Sequence, residues 1–496
     1  MRGWGRRARA AWASVPAPVR RGWILGFVAV FGVIAVGSVL LPPPGSADTY
    51  WHLDYTYQLA HGHLPDAVGG EYAYHGSDTP PFGETSLHFA AAHPPLLYAL
   101  SVPILGPLFP VASLFVVTTA ARAIVMLIGA VLFVALARFG WLFGGRLRNQ
   151  FSVGLPAVGM MLVPIAHFAG DYYNDILVTT LSVLLITEIA LVLRDGMSRT
   201  RLMSMTVFAA LGMASKATFA TTYALMIGIV AVVVWRAASG GAWRRLGAVM
   251  RPMTVLTVVP FVFIGWFYLW NWSRSGSPVR SYAKVPIGSR PYKSAGDVLT
   301  SDTFYTKFFD GWLGTRRWTL GPLTNYTTAA VVVLVAILLV GLWWWRMRPS
   351  KFSATLVLLL GAHVVLLYGT QFSHAVGYGQ LNWRYFMAGM LALACALTLA
   401  ALSLGKRTGA LVLSAGVAVL AFIGLYDRLI YLDRKFSTGA ESDVVGIDLV
   451  RWMASQGNVP LWPMYVTLAV AAVSLVGFGV ALWRTPSLTP RALQDA

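Results

Sequence analysis

Twelve stretches of about 20 predominantly apolar residues dominate this chain, and they constrain its fold more than any other feature. They lie near 23–41, 111–137, 152–168, 176–193, 202–214, 218–235, 252–270, 327–345, 353–370, 385–403, 409–425 and 463–483. In hydrocarbon every backbone N–H and C=O must be satisfied within the structure, and a helix does this inside one segment. The expected fold is therefore all-α and polytopic, with about twelve transmembrane helices. Charged residues make up only 11% of the 496, against about 25% in soluble domains, which excludes a soluble protein. A single cysteine, Cys395, rules out an intrachain disulfide and multi-thiolate metal sites. The fifth stretch is short. Residues 202–235 make either two tight spans with Ser215-Lys216 at the apex or one long tilted helix, and the hairpin keeps the downstream charge alternation consistent.

The net charge of +19 reports orientation here, not nucleic acid. Lys and Arg in short loops mark the cytoplasmic side, and they cluster at 138–148, 194–201, 236–251, 346–351 and 406–407. Both termini then lie inside, at the plasma (inner) membrane. Arg2, Arg6, Arg7, Arg9, Arg20 and Arg21 precede the first stretch and Pro42-Pro43-Pro44 follow it, which reads as an uncleaved anchor. Long outward loops fall at 42–93, 271–326 and 427–462. All carboxylates except Glu188, Asp195 and Asp495 lie on the outward side. Ionisable groups are costly in lipid, so the chemistry is expected on the extracytoplasmic face. The predicted organisation is a basic N-terminus (1–22), a catalytic membrane module (23–403), C-terminal membrane helices (404–483) and a tail (484–496).

The 42–93 loop has no Lys or Arg, six acids and six of the nine histidines. Ser46–His61 reads as an amphipathic helix with Ser46 as N-cap and Gly62 as the residue after it. Tyr50, Trp51, Tyr55 and Tyr57 are expected at the headgroup level. Asp48 and His52 are four apart, hence on one helix face. Asp48 is either a reactive carboxylate or a residue that stabilises a helix start. The histidines suggest a metal through Asp48/His52 or His61-Gly62-His63, but no compact set of three or four ligands emerges, so interfacial or structural roles are expected for them.

These residues resemble a family. ADTYWHLDYTYQLAHGHLPD (47–66) followed by HPPLLYAL (93–100) is similar to the first outward loop of GT-C membrane glycosyltransferases. The resemblance is to the bacterial branch related to protein O-mannosyltransferases and the lipid A aminoarabinose transferase. DYYNDILVTTLSVLL (171–185), LGMASKATFATTYALM (211–226), WFYLWNWSRSGSPV (266–279) and LNWRYFMAGMLALACALTL (381–399) resemble further family segments in the same order, covering roughly 20–403. Each motif is weak alone; five in register are more specific. Two positions depart: Thr49 stands where the family has Glu, and Trp270 where it has Arg before Asn271.

The resemblance implies transfer of a sugar from a polyprenyl-phosphate donor to a lipid, glycan or protein acceptor of the cell envelope. It places the catalytic base at Asp48. Asp175, beside Asn174, matches an Asn-Asp motif, and Asp171 or Asp175 is a candidate to orient a substrate; helix capping by Asn174-Asp175 is the alternative. Lys216 and Arg384 match phosphate-binding positions, with snorkelling toward headgroups as the alternative. His52, His93, Arg316 and Arg317 complete the candidate substrate-binding set. No cofactor is expected, since a donor with one phosphate needs no divalent ion, although the acidic, His-rich loop leaves one open. Arg122 matches a family arginine or serves packing. The competing readings are a lipid or polysaccharide flippase, which predicts repeats and midplane charges, and a ligase using a lipid-pyrophosphate donor.

Overall fold

A computed structural model describes residues 12–41, 48–66, 73–74, 88–279, 294–301, 304–305, 326–347, 350–378, 383–436, 451 and 461–486. Among these residues the regular structure is entirely helical. In chain order the helices are α1 (Ala17–Val39), α2 (Thr49–Ala60), α3 (Leu96–Leu105), α4 (Leu114–Phe143), α5 (Arg148–Met161), α6 (Val163–Ala169), α7 (Asp175–Asp195) and α8 (Arg199–Met213). Then come α9 (Ala220–Ala237), α10 (Ala242–Ser275), α11 (Ala295–Thr300), α12 (Tyr326–Met347), α13 (Lys351–Tyr378), α14 (Met390–Ser403), α15 (Lys406–Phe436) and α16 (Leu461–Arg484). Nine described helices are long and apolar enough to cross a membrane, ten with one bent pair taken as a single span. The chain is a multi-pass membrane protein.

Each of the twelve predicted stretches falls on a helix, and 202–235 is indeed two, α8 and α9. Three details differ from expectation. The third stretch is broken: α5 and α6 meet at 72° because Leu162, with ψ 124°, leaves the helical region just ahead of Pro164, which has no N–H to continue the ladder. The tenth begins as a 3₁₀ turn, Trp383–Gly389. The loop helix is Thr49–Ala60, shorter than Ser46–His61, and Ser46 lies outside the described residues; Gly62 does follow it at φ 81°. The helix of the eleventh stretch, α15, runs past its apolar span, which ends at Tyr426, as far as Phe436. That extension carries buried Arg428 into the bundle, where it donates to the carbonyls of Gly37 near the end of α1 and His167 in α6. A cation at helix C-termini meets the negative end of the dipole.

Small residues set the close approaches, as expected where van der Waals packing holds helices together in lipid. α1 packs on α16, where Gly32 faces Ala471, and α4 packs on α5, where Gly140 faces the backbone of Ser152. The most enclosed span is α7, with 89% of its apolar window buried. It touches α4, α8, α9, α13 and the Trp383–Gly389 turn. Its N-terminus is therefore where side chains from several elements converge.

Candidate functional site

Three local features build the site. The first is the start of α2. Asp48 occupies the N-cap position but makes no capping bond with its side chain. Instead Asp48 Oδ2 accepts from Arg384 Nη1 at 2.8 Å, across 336 positions of sequence. The two side chains are 36% and 26% exposed, so this pair sits at an opening. Arg384 also lies over the rings of Tyr173 (5.7 Å) and Phe168 (5.9 Å), which hold its guanidinium plane. Snorkelling toward headgroups does not describe it.

The second feature is the N-terminus of α7. Asp175 is its first residue, and Asn174 at the N-cap makes no side-chain cap; Asn174 Nδ2 donates to Ser215 O at 3.2 Å instead. Asp175 Oδ1 accepts from Lys216 Nζ at 2.7 Å, with the side chains only 4% and 5% exposed. The third feature explains how a lysine comes to be there. α8 has 15 residues, a rise of about 22 Å against a hydrocarbon core of about 30 Å. The turn that carries Lys216 is therefore recessed into the bundle, and the ammonium is neutralised by Asp175 and faces the Tyr385 ring at 5.6 Å.

His52 and His93 line the same region. His52 Nδ1 lies 2.7 Å from the Tyr98 hydroxyl, and its ring stacks parallel to His93 with centroids 5.9 Å apart. Tyr173 meets His52 edge-on at 4.9 Å. Burial pushes His52 down to about 3, against the opposing pull of Asp48, and burial likewise drives His93 well below the usual range, with Lys216 adding to the effect. Both rings are neutral at physiological pH. Burial raises Asp48, but the positive charge of Arg384, with Lys216 adding to it, outweighs burial and holds the carboxyl below its ordinary value. Asp48 is thus ionised, partly open to solvent, and flanked by two cations.

Of the residues singled out in the sequence, the fold brings together Asp48, His52, His93, Asp175, Lys216 and Arg384. Asn174 faces the Ser215 turn. Asp171 is separate: it is fully buried, accepting from Thr49 Oγ1 at 2.9 Å and from the Tyr172 N–H at 2.8 Å, with Arg122 Nε 3.7 Å away. Arg316 and Arg317 lie outside the described residues. The expected headgroup belt of α2 is corrected: Tyr50, Trp51 and Tyr55 are at most 3% exposed, packed within the protein. Sequence reasoning assigned no role to Tyr98, Tyr173 or Tyr385, although each falls inside a quoted motif. It also missed a buried clamp on the first loop. Asp54 Oδ1 accepts from the Ala73 and Tyr74 N–H groups, and Oδ2 accepts from Gln58 and from His88 Nε2, all at 2.7–2.8 Å. Among the described residues, no group of three or more His, Cys, Asp or Glu side chains is placed to hold a metal ion.

No protein-family model matches the chain, and no curated protein matches its sequence. Solved structures do. ArnT from Cupriavidus metallidurans bound to undecaprenyl phosphate superposes with a TM-score of 0.52 at 16% identity, over 93% of this chain and 77% of that one. The apo state of the same enzyme gives 0.50, 16%, 93% and 76%. The likeness at this identity is one of architecture: the chain has the GT-C fold, the fold of a class of membrane glycosyltransferases.

Proposed function

We propose that this protein is a membrane glycosyltransferase that moves a sugar from a polyprenyl-phosphate donor to a cell-envelope acceptor on the extracytoplasmic face. The observation that carries the reading is the pairing of an ionised, half-open carboxylate, Asp48, with Arg384 beside the buried Asp175–Lys216 pair. The GT-C architecture agrees with it, and the ArnT structure of that fold holds undecaprenyl phosphate.

The chemistry needs one base and charge neutralisation. An acceptor hydroxyl attacks the anomeric carbon in line; its oxygen bonds to that carbon while the carbon–oxygen bond to the lipid phosphate breaks. Asp48 takes the hydroxyl proton, which requires approach to about 3 Å in the productive complex. The departing phosphate monoester gains charge, and Arg384 is the cation placed to meet it, with Lys216 behind. Arg384 cannot serve the phosphate and Asp48 equally. As the donor phosphate draws Arg384 away, Asp48 loses its main counter-charge, its pKa rises, and it becomes a stronger base when a donor is in place. His93, held neutral and stacked on the buried His52 ring, offers a wall for a sugar ring. Asp175 keeps Lys216 charged and pointed inward.

The test uses purified protein in proteoliposomes with a panel of polyprenyl-phosphate sugars and membrane acceptor extract, comparing parent with Asp48→Asn. Transfer by the parent, abolished in Asp48→Asn while donor binding persists, is the expected result. Undiminished transfer by Asp48→Asn moves the base elsewhere, and transbilayer movement of the lipid without transfer replaces the reading by a flippase.

A further inference from the structure

Asp171 lies outside the opening, yet it is built into the support of Asp48. The turn Gly170–Tyr173 runs along one face of α2, where Thr49, His52 and Thr56 recur at helical spacing. Thr49 Oγ1 donates to Asp171 Oδ1 at 2.9 Å, His52 packs on Tyr173, and Thr56 Oγ1 is 2.8 Å from the Tyr172 hydroxyl. All three α2 residues are buried. Thr49 is the first residue of α2 and the chain neighbour of Asp48, and the first-turn bond from His52 N–H to Asp48 O follows directly from it. On its other side Asp171 faces buried Arg122, whose Nη1 donates to the carbonyls of Ser38 and Leu41 at the end of the first span, at 2.9 and 2.8 Å. A chain of buried polar contacts thus runs from the end of α1 through Arg122 and Asp171 to Thr49. In a low-dielectric interior such buried polar and charged contacts are strong and restrict geometry.

We propose that Asp171 is a positioning residue: through Thr49 it fixes the first turn of α2 and so aims the Asp48 carboxylate. This rests on the transferase reading for its kinetic consequence but not for the anchoring itself. A catalytic base displaced by about 1 Å costs on the order of a hundredfold in rate, whereas a residue that contacts substrate shows itself in donor affinity.

The experiment compares parent, Thr49→Val, Thr49→Ser, Asp171→Ala and the Thr49→Val/Asp171→Ala double variant. Thr49→Val exchanges the hydroxyl for a methyl group and leaves the Arg122–Asp171 pair in place, so it is the milder change to the fold, and Thr49→Ser keeps the hydroxyl. Two readouts are taken per folded molecule: kcat and KM for a polyprenyl-phosphate sugar, and amide hydrogen exchange of the segment 48–56. Expected for Thr49→Val is a fall in kcat of about tenfold to a hundredfold with donor KM unchanged, together with faster exchange at the His52 amide. Thr49→Ser restores both, and the double variant is no slower than the worse single one. A Thr49→Val enzyme with parental kcat and parental exchange overturns the proposal. So does an Asp171→Ala effect confined to KM, which would make Asp171 a substrate contact. If the parent transfers no sugar, the transferase reading fails by itself, and unaltered exchange in Thr49→Val then refutes the anchoring separately.

Discussion

The two acid–base pairs of the site differ in exposure, and that difference predicts opposite outcomes for a chemically identical substitution. Asp48→Asn keeps the shape of the side chain and an acceptor for Arg384. Both partners are about a third exposed, so water screens the lost charge and the stability change is at most about 1 kcal/mol. The catalytic loss is that of a general base, about 10²- to 10⁴-fold in kcat, or roughly 3–5 kcal/mol of barrier. Asp175→Asn reverses the balance. Lys216 is then left charged at 5% exposure with its partner gone, and breaking a buried pair in this way costs about 3–5 kcal/mol, a large share of the roughly 5–15 kcal/mol that holds a protein folded. Replacing both members by apolar residues, Asp175→Leu with Lys216→Met, removes the stranded charge and returns stability to near the parent without returning activity. The assay is SDS titration of detergent-solubilised protein followed by tryptophan fluorescence, run beside single-turnover transfer normalised to folded protein. If Asp48→Asn unfolds as readily as Asp175→Asn while its folded fraction turns over at the parental rate, Asp48 is a structural anchor and the reasoning from exposure is wrong.

Three more outcomes follow from the geometry. Arg384→Gln removes the cation that holds Asp48 down while burial still pushes it up; the acid limb of the kcat/KM profile therefore moves to higher pH, and a limb that stays in place separates Asp48 from the rate. His52 has a folded pKa of about 3 against about 6.5 unfolded, so between these values the unfolded chain binds the extra proton. Stability then rises with pH across that window, by up to about 1.4 kcal/mol per unit, and is lost as pH falls; in His52→Gln the slope of unfolding free energy against pH between 4 and 6 should flatten. A Cβ on Gly140 would meet the Ser152 Cα at 2.7 Å, whereas one on Gly228 meets nothing within 4 Å. Gly140→Ala should then cost about 1–3 kcal/mol and Gly228→Ala little, measured by the same SDS titration.

The spans were legible because apolar runs of this length have few other uses, and because Lys and Arg punctuate their ends. The site was legible only as a roster. Nothing in the spacing of Asp48 and Arg384, or of Asp175 and Lys216, says that they pair; α7 joins them by being enclosed on all sides, which is a property of the assembled bundle. The belt expected of Tyr50, Trp51 and Tyr55 failed for the same reason. An aromatic-rich amphipathic segment looks alike whether its partner is lipid or protein, and here α3 and the turn before α7 supply protein. Asp171 and Asp175 were hard to rank because they are four apart, the spacing of neighbours on a helix. Asp175 opens α7 while Asp171 sits in the turn before it, so the two carboxylates face different partners.

The departure at position 49 gains a physical reason from this arrangement. A carboxylate there would stand within hydrogen-bonding distance of Asp171 in a fully buried setting, and two like charges so placed cannot both ionise. Arg122 is already committed to Asp171 and to the Ser38 and Leu41 carbonyls, so it neutralises one carboxylate, not two. Threonine is compatible with Asp171 because its hydroxyl donates where a carboxylate would repel. Thr49→Glu alone is therefore expected to destabilise strongly at neutral pH and to recover as pH falls and one of the two acids takes a proton. Adding Asp171→Asn leaves one carboxylate facing Arg122 and should restore stability at neutral pH. Equal stability of the Thr49→Glu and Thr49→Glu/Asp171→Asn proteins at pH 7 would show that Asp171 does not exclude an acid at 49, and the physical account of the departure would fall with it.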